Sequence, residues 1–368
     1  MMLVSLKIDG FRNLTTPAVE FDNQTNYIFG DNGQGKTNLL EAIFVLCLAK
    51  SFRTHDDYEL ISFSKNYSRV EGSFLAPNDV QHRMVVGIDR NQGKQLMLDG
   101  KRISPFSKII GRFPIVALSA NDHAITNGPP GERRRFFNIL LSQCHSHYLD
   151  DLKEYDRILK QRNRILSEWK SKSASSQIDA WSLALAAKGS SLMKARKAIA
   201  EEINARIHNY YQKVSNSIQP LKVIYSPNVE FDSIESIQEQ FENSLHKVAS
   251  KERIQGTTLV GPHRDEFIFS LYEQDLRRYG SRGEHKSVLM SLKATECELL
   301  KEKTDIDPLL LLDDLYAELD SNRAQLAMDL FSSPSQKFIT GTSFDYENLR
   351  GKIEKHIYWV KNGEVVHS

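Results

Sequence analysis

Gly30-Asp31-Asn32-Gly33-Gln34-Gly35-Lys36-Thr37 has the spacing G-x-x-x-x-G-K-[ST], and its flanks give the match its weight. On the N-terminal side, Tyr27-Ile28-Phe29 reads as a strand. On the other, Leu39, Leu40, Ile43, Phe44 and Leu46 are apolar nearly all round, as in a helix buried beneath a sheet. A strand that runs into a glycine loop and then a helix makes a phosphate cradle. The glycines let backbone N–H groups wrap the phosphates, Lys36 sets a cation on the β- and γ-oxygens, and Thr37 offers its hydroxyl to Mg²⁺. The expectation is an ATP site formed by Gly30 through Thr37.

The second half of such a site lies far downstream. Leu309-Leu310-Leu311-Leu312 reads as a fully buried parallel strand that delivers Asp313 to its carboxyl end, where a carboxylate can hold Mg²⁺ (a Walker B arrangement). Asp314 beside it is placed to orient the attacking water, so Lys36, Asp313 and Asp314 are the expected catalytic residues. The gap of roughly 275 residues between the two halves does not suit a compact kinase or GTPase, and an insertion must separate them. Ser281-Arg282-Gly283-Glu284, just before a helical stretch from Lys286 to Lys301, reads as an ABC signature. There Ser281, the Gly283 amide and a helix N-terminus would meet the γ-phosphate held by a second copy. A plain helix cap is the competing reading, and the position upstream of Asp313 favours the signature. Ala317-Glu318-Leu319-Asp320 then falls where a D-loop belongs.

Working outward, the fold class is α/β: an ABC-type ATPase head of mixed sheets around a P-loop core, residues 1–118 and 256–368, with an inserted, mainly helical arm at 119–255. Val4, Leu6 and Ile8 are expected on one face of the first strand. Asp99-Gly100 and Asn362-Gly363 mark hairpins. From Gly131 apolar residues recur at steps of three and four, predicting one long amphipathic helix. Ser171 to Ser176 breaks it, and a second helix runs on to Pro220, each arm on the order of 50 Å long. A net charge of +1 gives no global attraction to nucleic acid, so any DNA contact needs a local basic patch. Arg133, Arg134, Arg135, Lys153, Arg157, Lys160, Arg162 and Arg164 supply a candidate, against the alternative of a solvated face balanced by Asp150, Asp151, Glu154 and Asp156. Cys47, Cys144 and Cys297 lie in no metal-ligand spacing, and no run approaches the roughly 20 apolar residues of a membrane span. A cytoplasmic protein is expected.

Beyond the ATP motifs, Asp9-Gly10-Phe11-Arg12-Asn13-Leu14, Asn38 to Ile43, Ser51-Phe52-Arg53-Thr54, Gly128-Pro129-Pro130 with Arg133-Arg134-Arg135, and Gly261-Pro262-His263-Arg264-Asp265 resemble blocks of the RecF family across essentially the whole chain. The resemblance implies an ATP-dependent DNA-binding protein of recombination, repair and replication, including the SOS response. It implies a head that dimerises with ATP on gapped or double-stranded DNA, a slow hydrolysis that resets it, and RecO and RecR as partners in loading RecA. It also places Arg12 and Asn13 beside the nucleotide. Two departures stand out: Ala120-Asn121-Asp122 where the family has Pro-Glu-Asp near the Q-loop, and Arg282 inside the signature. The switch histidine of ABC proteins is absent from Phe338-Ile339-Thr340-Gly341-Thr342, as in RecF, which leaves Thr342 as the candidate γ-phosphate sensor. The alternatives are an ATPase subunit of a transporter or of another SMC-like complex, and, less compatible with the length after the D-loop, an overcoming-lysogenization-type nuclease.

Overall fold

The computed structural model describes residues 1–168, 173–215, 217–314, 326, 329–331, 335–349 and 356–367. In chain order the first part supplies β1 (Met2–Asp9), β2 (Ala18–Glu20), β3 (Thr25–Phe29), α1 (Lys36–Leu48), β4 (Tyr67–Leu75), β5 (Gln81–Asp89), β6 (Gly93–Leu98), β7 (Lys101–Arg102) and β8 (Ile115–Leu118). The middle is largely helical: α2 (His123–Asn127), α3 (Pro130–Cys144), α4 (Tyr148–Ser167), α5 (Ser173–Asn204), α6 (Ile207–Ser215), β9 (Leu221–Ser226), α7 (Ile237–Gln255), β10 (Glu266–Leu271), β11 (Gln274–Asp275), α8 (Leu276–Tyr279) and α9 (Arg282–Thr304). The chain closes with β12 (Leu309–Leu312), β13 (Lys337–Gly341), α10 (Ser343–Leu349), β14 (Ile357–Lys361) and β15 (Glu364–His367).

Two units result, Met1–His123 with Leu289–Ser368, and Ala124–Val288. Sequence patterning placed the return to the head at residue 256. The structure keeps 256–288 in the second unit, because β10 pairs with β9 along all six residues from Leu221 to Ser226. In the first unit an antiparallel sheet runs β2-β1-β4-β5-β6-β7, and a second sheet runs β15-β14-β3-β13-β12-β8. In the latter, β14, β3, β13, β12 and β8 are mutually parallel and β15 is antiparallel. The four leucines of β12 are at most 1% exposed, worth on the order of 8 kcal/mol of apolar burial together, which explains a strand with no polar alternation. Nearly every side chain of α1 is buried too, as its all-round apolar pattern requires.

Local departures have physical causes. Leu3, Leu6 and Ile8 are buried while Val4 is exposed, because the pairing of β1 with β4 slips between Leu3 and Ser5 and turns Val4 outward. Each expected long helix is two helices: α3 and α4 part at His145–His147, and α5 and α6 part after Asn204. In the second unit, β9, β10 and β11 form a three-stranded sheet. Of the expected break at Ser171–Ser176, residues 171 and 172 lie outside the described residues, as does the whole expected D-loop, Ala317–Asp320. No described helix is long and apolar enough to cross a membrane.

Candidate functional site

The glycine loop leaves β3 at Gly30 and enters α1 at Lys36. A Cβ on Gly30 would run into the carbonyl of Val360 on β14, so close backbone packing requires glycine there. The turn between β14 and β15 holds the loop from the other side: the Asn362 N–H donates to Gln34 Oε1 at 2.6 Å and the Gly363 N–H to the Gln34 carbonyl at 2.9 Å. Asp31, Asn32 and Gly33 form the exposed rim, and Ser343 at the start of α10 donates to Asp31 Oδ1 at 2.8 Å. Lys36 is 4% exposed, and its ammonium donates to the carbonyls of Gly30 and Asp31 at 2.9 and 3.1 Å, across the mouth of the loop. No side chain caps α1, so its first-turn N–H groups and their share of the helix dipole face the loop's hollow, the arrangement that binds phosphate oxygens.

Asp313 sits where expected, one residue past β12. Its Oδ1 accepts the Thr37 hydroxyl at 3.0 Å and the Thr340 hydroxyl at 2.8 Å, which joins the loop, β12 and β13 in one cluster. Burial pushes the Asp313 carboxyl above the usual carboxylate range; the two hydroxyls pull it down, and the neighbouring Asp314 pushes it up. Asp314 follows in a left-handed conformation, φ 47°, with its N–H donating to the Thr340 hydroxyl at 2.7 Å. Its Oδ1 is buried and has no hydrogen-bond partner among the described residues. A carboxylate with an orphaned buried oxygen, carried on a left-handed backbone beside a second carboxylate and a threonine hydroxyl, is a hard-oxygen donor set suited to Mg²⁺ and water. No cluster of three or more His, Cys, Asp or Glu side chains is placed to hold a metal among the described residues.

The remaining predicted residues divide. Arg12 does not point a free guanidinium at the loop: it forms a bidentate pair with the fully buried Glu41 of α1, both contacts at 2.9 Å. Asn13 is the residue of that segment that meets the loop, donating to the Gln34 carbonyl at 3.3 Å and accepting from Asn38 at 2.7 Å. Glu41 also accepts from Ser51 at 2.5 Å and from Arg53 at 3.4 Å, and Arg53 donates to Asn38 at 2.6 Å. Arg53 thus stands beside the residue after Thr37 and lowers the Asp313 carboxyl through its charge. Thr342 is the N-cap of α10, its N–H and hydroxyl both donating to Asp345 at 2.6 and 2.8 Å, and it is not directed at the cluster. Thr340, two residues before it, contacts Asp313, and Ser343, one after it, contacts Asp31 of the glycine loop. Ala120–Asp122 forms a tight turn after β8, with Asp122 accepting from the N–H and hydroxyl of Ser119 and lying 3.6 Å from the buried Lys293.

In the second unit, Ser281 stands exposed at the N-terminus of α9 with Gly283 in its first turn. Ser281 and Glu284 form a reciprocal cap: the N–H and hydroxyl of Ser281 donate to Glu284 Oε2 at 2.8 Å each, and the Glu284 N–H returns to the hydroxyl at 3.3 Å. The backbone bond from Ser281 holds the Glu284 carboxyl below its ordinary range.

Comparison with known proteins agrees with this geometry. The family described as RecF/RecN/SMC N terminal domain matches residues 2–355. The DNA replication and repair protein RecF of Lachnoclostridium phytofermentans is 34% identical over 367 residues, covering 99% of each chain. That of Chloroherpeton thalassium is 35% identical over 353 residues, 93% of this chain and 95% of the relative. The chain belongs to the RecF family. A solved structure of the recombination mediator protein RecF with ATP in the RecFOR pathway superposes with a TM-score of 0.91 at 30% identity, covering 99% of this chain and 97% of that one. An Smc head bound to the C-terminal winged-helix domain of ScpA, at 17% identity and a TM-score of 0.56, shares the fold alone. The fold class is therefore that of an ABC-type ATPase head.

The RecF blocks outside the nucleotide site converge in the core of the second unit. Arg196, 2% exposed, donates to Asp265 Oδ2 at 2.8 Å, and Asp265 also accepts from Tyr225 at 2.5 Å and from the Asn228 N–H at 2.8 Å. Arg134 donates to the Asp265 carbonyl, and Arg133 makes a bidentate pair with Glu266 at 2.7 and 2.9 Å. Arg162 is likewise buried, on Glu252 at 2.7 Å, Ser182 and Thr258. Arg133 and Arg162 thus leave the expected basic patch: they are bound into the interior, where a desolvated guanidinium requires such partners, while Arg134 stays half-buried on the Asp265 carbonyl.

Proposed function

We propose that this chain is an ATP-dependent DNA-binding protein of recombinational repair and replication-fork maintenance. In this reading ATP joins two copies head to head on gapped DNA and slow hydrolysis releases them. The near-full-length RecF relatives support the reading, and one observation in the site carries it: Asp313 Oδ1 gathers the hydroxyls of Thr37 and Thr340 at the mouth of the glycine loop.

In this reading the N–H groups from Gly30 to Thr37 bind the β- and γ-phosphates, and Asp31, Asn32, Gly33, Gln34 and Gly35 shape the loop. Lys36 exchanges its carbonyl partners for phosphate oxygens. Thr37 and Asp313 would hold Mg²⁺, which would supply positive charge against the charge that develops in phosphoryl transfer. Asp314, with its unpartnered Oδ1, orients the attacking water. Arg12 acts through Glu41 by fixing α1 rather than by touching ATP. Ser281 and the Gly283 N–H of a second copy close over the γ-phosphate, with Ser281 turning from Glu284 to do so. Each site then needs two copies, which makes hydrolysis depend on association and turns ATP into a timed clasp. DNA, RecR and RecO, and through them RecA, are the partners, and the cytoplasm is the compartment. A transporter subunit or another SMC-like complex has less support, since the RecF proteins of Lachnoclostridium phytofermentans and Chloroherpeton thalassium match the chain over nearly its full length.

Sedimentation of the wild type, Lys36→Ala and Ser281→Arg with ATP and Mg²⁺, with and without a gapped duplex, tests the reading. The wild type is expected to dimerise with ATP and bind the duplex. Lys36→Ala should lose ATP binding, and Ser281→Arg should keep ATP but not dimerise. A Ser281→Arg protein that dimerises as well as the wild type would refute the composite site.

A further inference from the structure

We infer that the outward face of α4 is a track for the backbone of single-stranded DNA, with Trp181 beside it as a platform for a base. The inference rests on the DNA-binding reading above and says where on the chain the strand lies. Although the whole chain is nearly neutral, its charge is unevenly shared: residues 124–288 hold 25 Lys and Arg against 20 Asp and Glu, and the rest hold 23 against 27. The basic excess is in the helical unit, and with Arg133, Arg162 and Arg196 buried in its interior and Arg134 bonded to the Asp265 carbonyl, α4 displays an ordered set of the remainder.

Lys153, Arg157, Lys160 and Arg164 recur along α4 at steps of four, three and four residues, and all four are exposed. At about 100° per residue they share a sector of roughly 60° of helix surface. That sector lies opposite the buried Tyr155, Ile158, Arg162 and Leu166 and so points straight at solvent. Arg157 and Arg164 each touch one acid of their own helix, Glu154 at 2.7 Å and Glu168 at 3.4 Å, in exposed pairs that water can replace. Lys153 and Lys160 make no ion pair among the described residues. Asp150, Glu154, Asp156 and Glu168 flank the row, so an incoming phosphate takes Arg157 and Arg164 from exposed acids of their own segment and meets Lys153 and Lys160 directly. At 1.5 Å per residue the cations follow one another every 5 Å or so, wider than the roughly 3.4 Å per phosphate of a strand in a duplex and so suited to a more extended strand.

Trp181 of α5 decides between one strand and two. It is half-buried beside the stripe, with the Arg157 guanidinium 5.9 Å from its ring centroid. A partly exposed indole next to a row of cations is the pairing that binds single strands, because every unstacked base offers a π-face and a duplex hides it.

The test uses the full-length protein with an oligo-dT strand, a blunt duplex of the same length and a gapped duplex, each titrated over a range of salt. The quadruple variant K153Q/R157Q/K160Q/R164Q keeps helix-forming residues on a solvent face, and normal ATP binding and unchanged ATP-driven association serve as its folding controls. Expected is a loss of oligo-dT affinity of about a hundredfold and a log–log salt dependence shallower by about 3, from four released phosphate contacts on a single strand. Trp181→Phe should lose about tenfold on oligo-dT and nothing on the blunt duplex, with an unchanged salt slope and loss of the tryptophan quenching that DNA causes. Wild-type affinity and slope in the quadruple variant would overturn the track. Equal losses on duplex and oligo-dT, with Trp181→Phe silent, would overturn the single-strand assignment. A wild type that binds none of the three DNAs, with or without ATP, would remove the DNA reading on which the track depends.

Discussion

Thr340→Val isolates what holds the two aspartates. Thr340 is 0% exposed, and its hydroxyl both donates to Asp313 Oδ1 at 2.8 Å and accepts from the Asp314 N–H at 2.7 Å. Valine keeps the shape and removes both bonds. An orphaned buried N–H costs about 1–3 kcal/mol and a hydrogen bond to a charged group is worth about 1.5–3 kcal/mol, so a total of about 4 kcal/mol is expected. The assay is denaturant unfolding at pH 7 without nucleotide, for Thr340→Val alone and in an Asp313→Asn background. Asparagine can still accept both hydroxyls but carries no charge, so the cost of Thr340→Val should be smaller there by about 1 kcal/mol. The hydroxyl favours ionised Asp313, so that part of its contribution is present above the folded pKa and is lost as pH falls through it. The penalty should shrink on acidification. A cost under about 0.5 kcal/mol, or one equal in both backgrounds, would refute the account of the cluster.

Two further outcomes follow from buried charges elsewhere. Glu41→Gln leaves the Arg12 guanidinium against a neutral partner at a fully buried position and should cost about 3 kcal/mol in denaturant unfolding; a near-neutral result would mean that Ser51 and Arg53 do not depend on that carboxylate. His263, in contact with Tyr155 at 2.7 Å, has its pKa pushed down to about 4 by burial. The unfolded chain therefore takes up a proton that the folded one refuses, and stability is lost as pH falls from about 6.5 towards 4, by on the order of 3 kcal/mol. Unfolding midpoints across that window should show a drop that His263→Gln removes.

Much of the nucleotide site was legible because its parts are contiguous in sequence. The strand, glycine loop and helix from Tyr27 to Leu48, and the leucine run ending at Asp313, carry their geometry in local patterning. Thr340 was not legible. It meets Asp313 only because β13 pairs in parallel with β12 in a register that sets Leu312 beside Ile339, and pairing register is invisible in one sequence. Thr342, chosen by its place in the motif, has a nearer partner in Asp345 that turns it into a helix cap. Arg12 was expected beside the nucleotide, yet its guanidinium belongs to Glu41, 29 residues away, and Asn13 is the residue that meets the loop.

The basic residues of the helical unit divide along the same line. By itself the sequence determined the P-loop core, the ABC-type class and the inserted helices, which are written in spacing and periodicity, and it pointed to the family through the resemblance of whole blocks such as Gly261 to Asp265. Tertiary structure alone decided which cations remain available. Arg133 and Arg162 find Glu266 and Glu252 at separations of 133 and 90 residues, while Lys153 and Lys160 face solvent. Charge is a property of composition, but whether a charge is spent internally or offered to a ligand depends on desolvation and on partners that only the folded chain brings together.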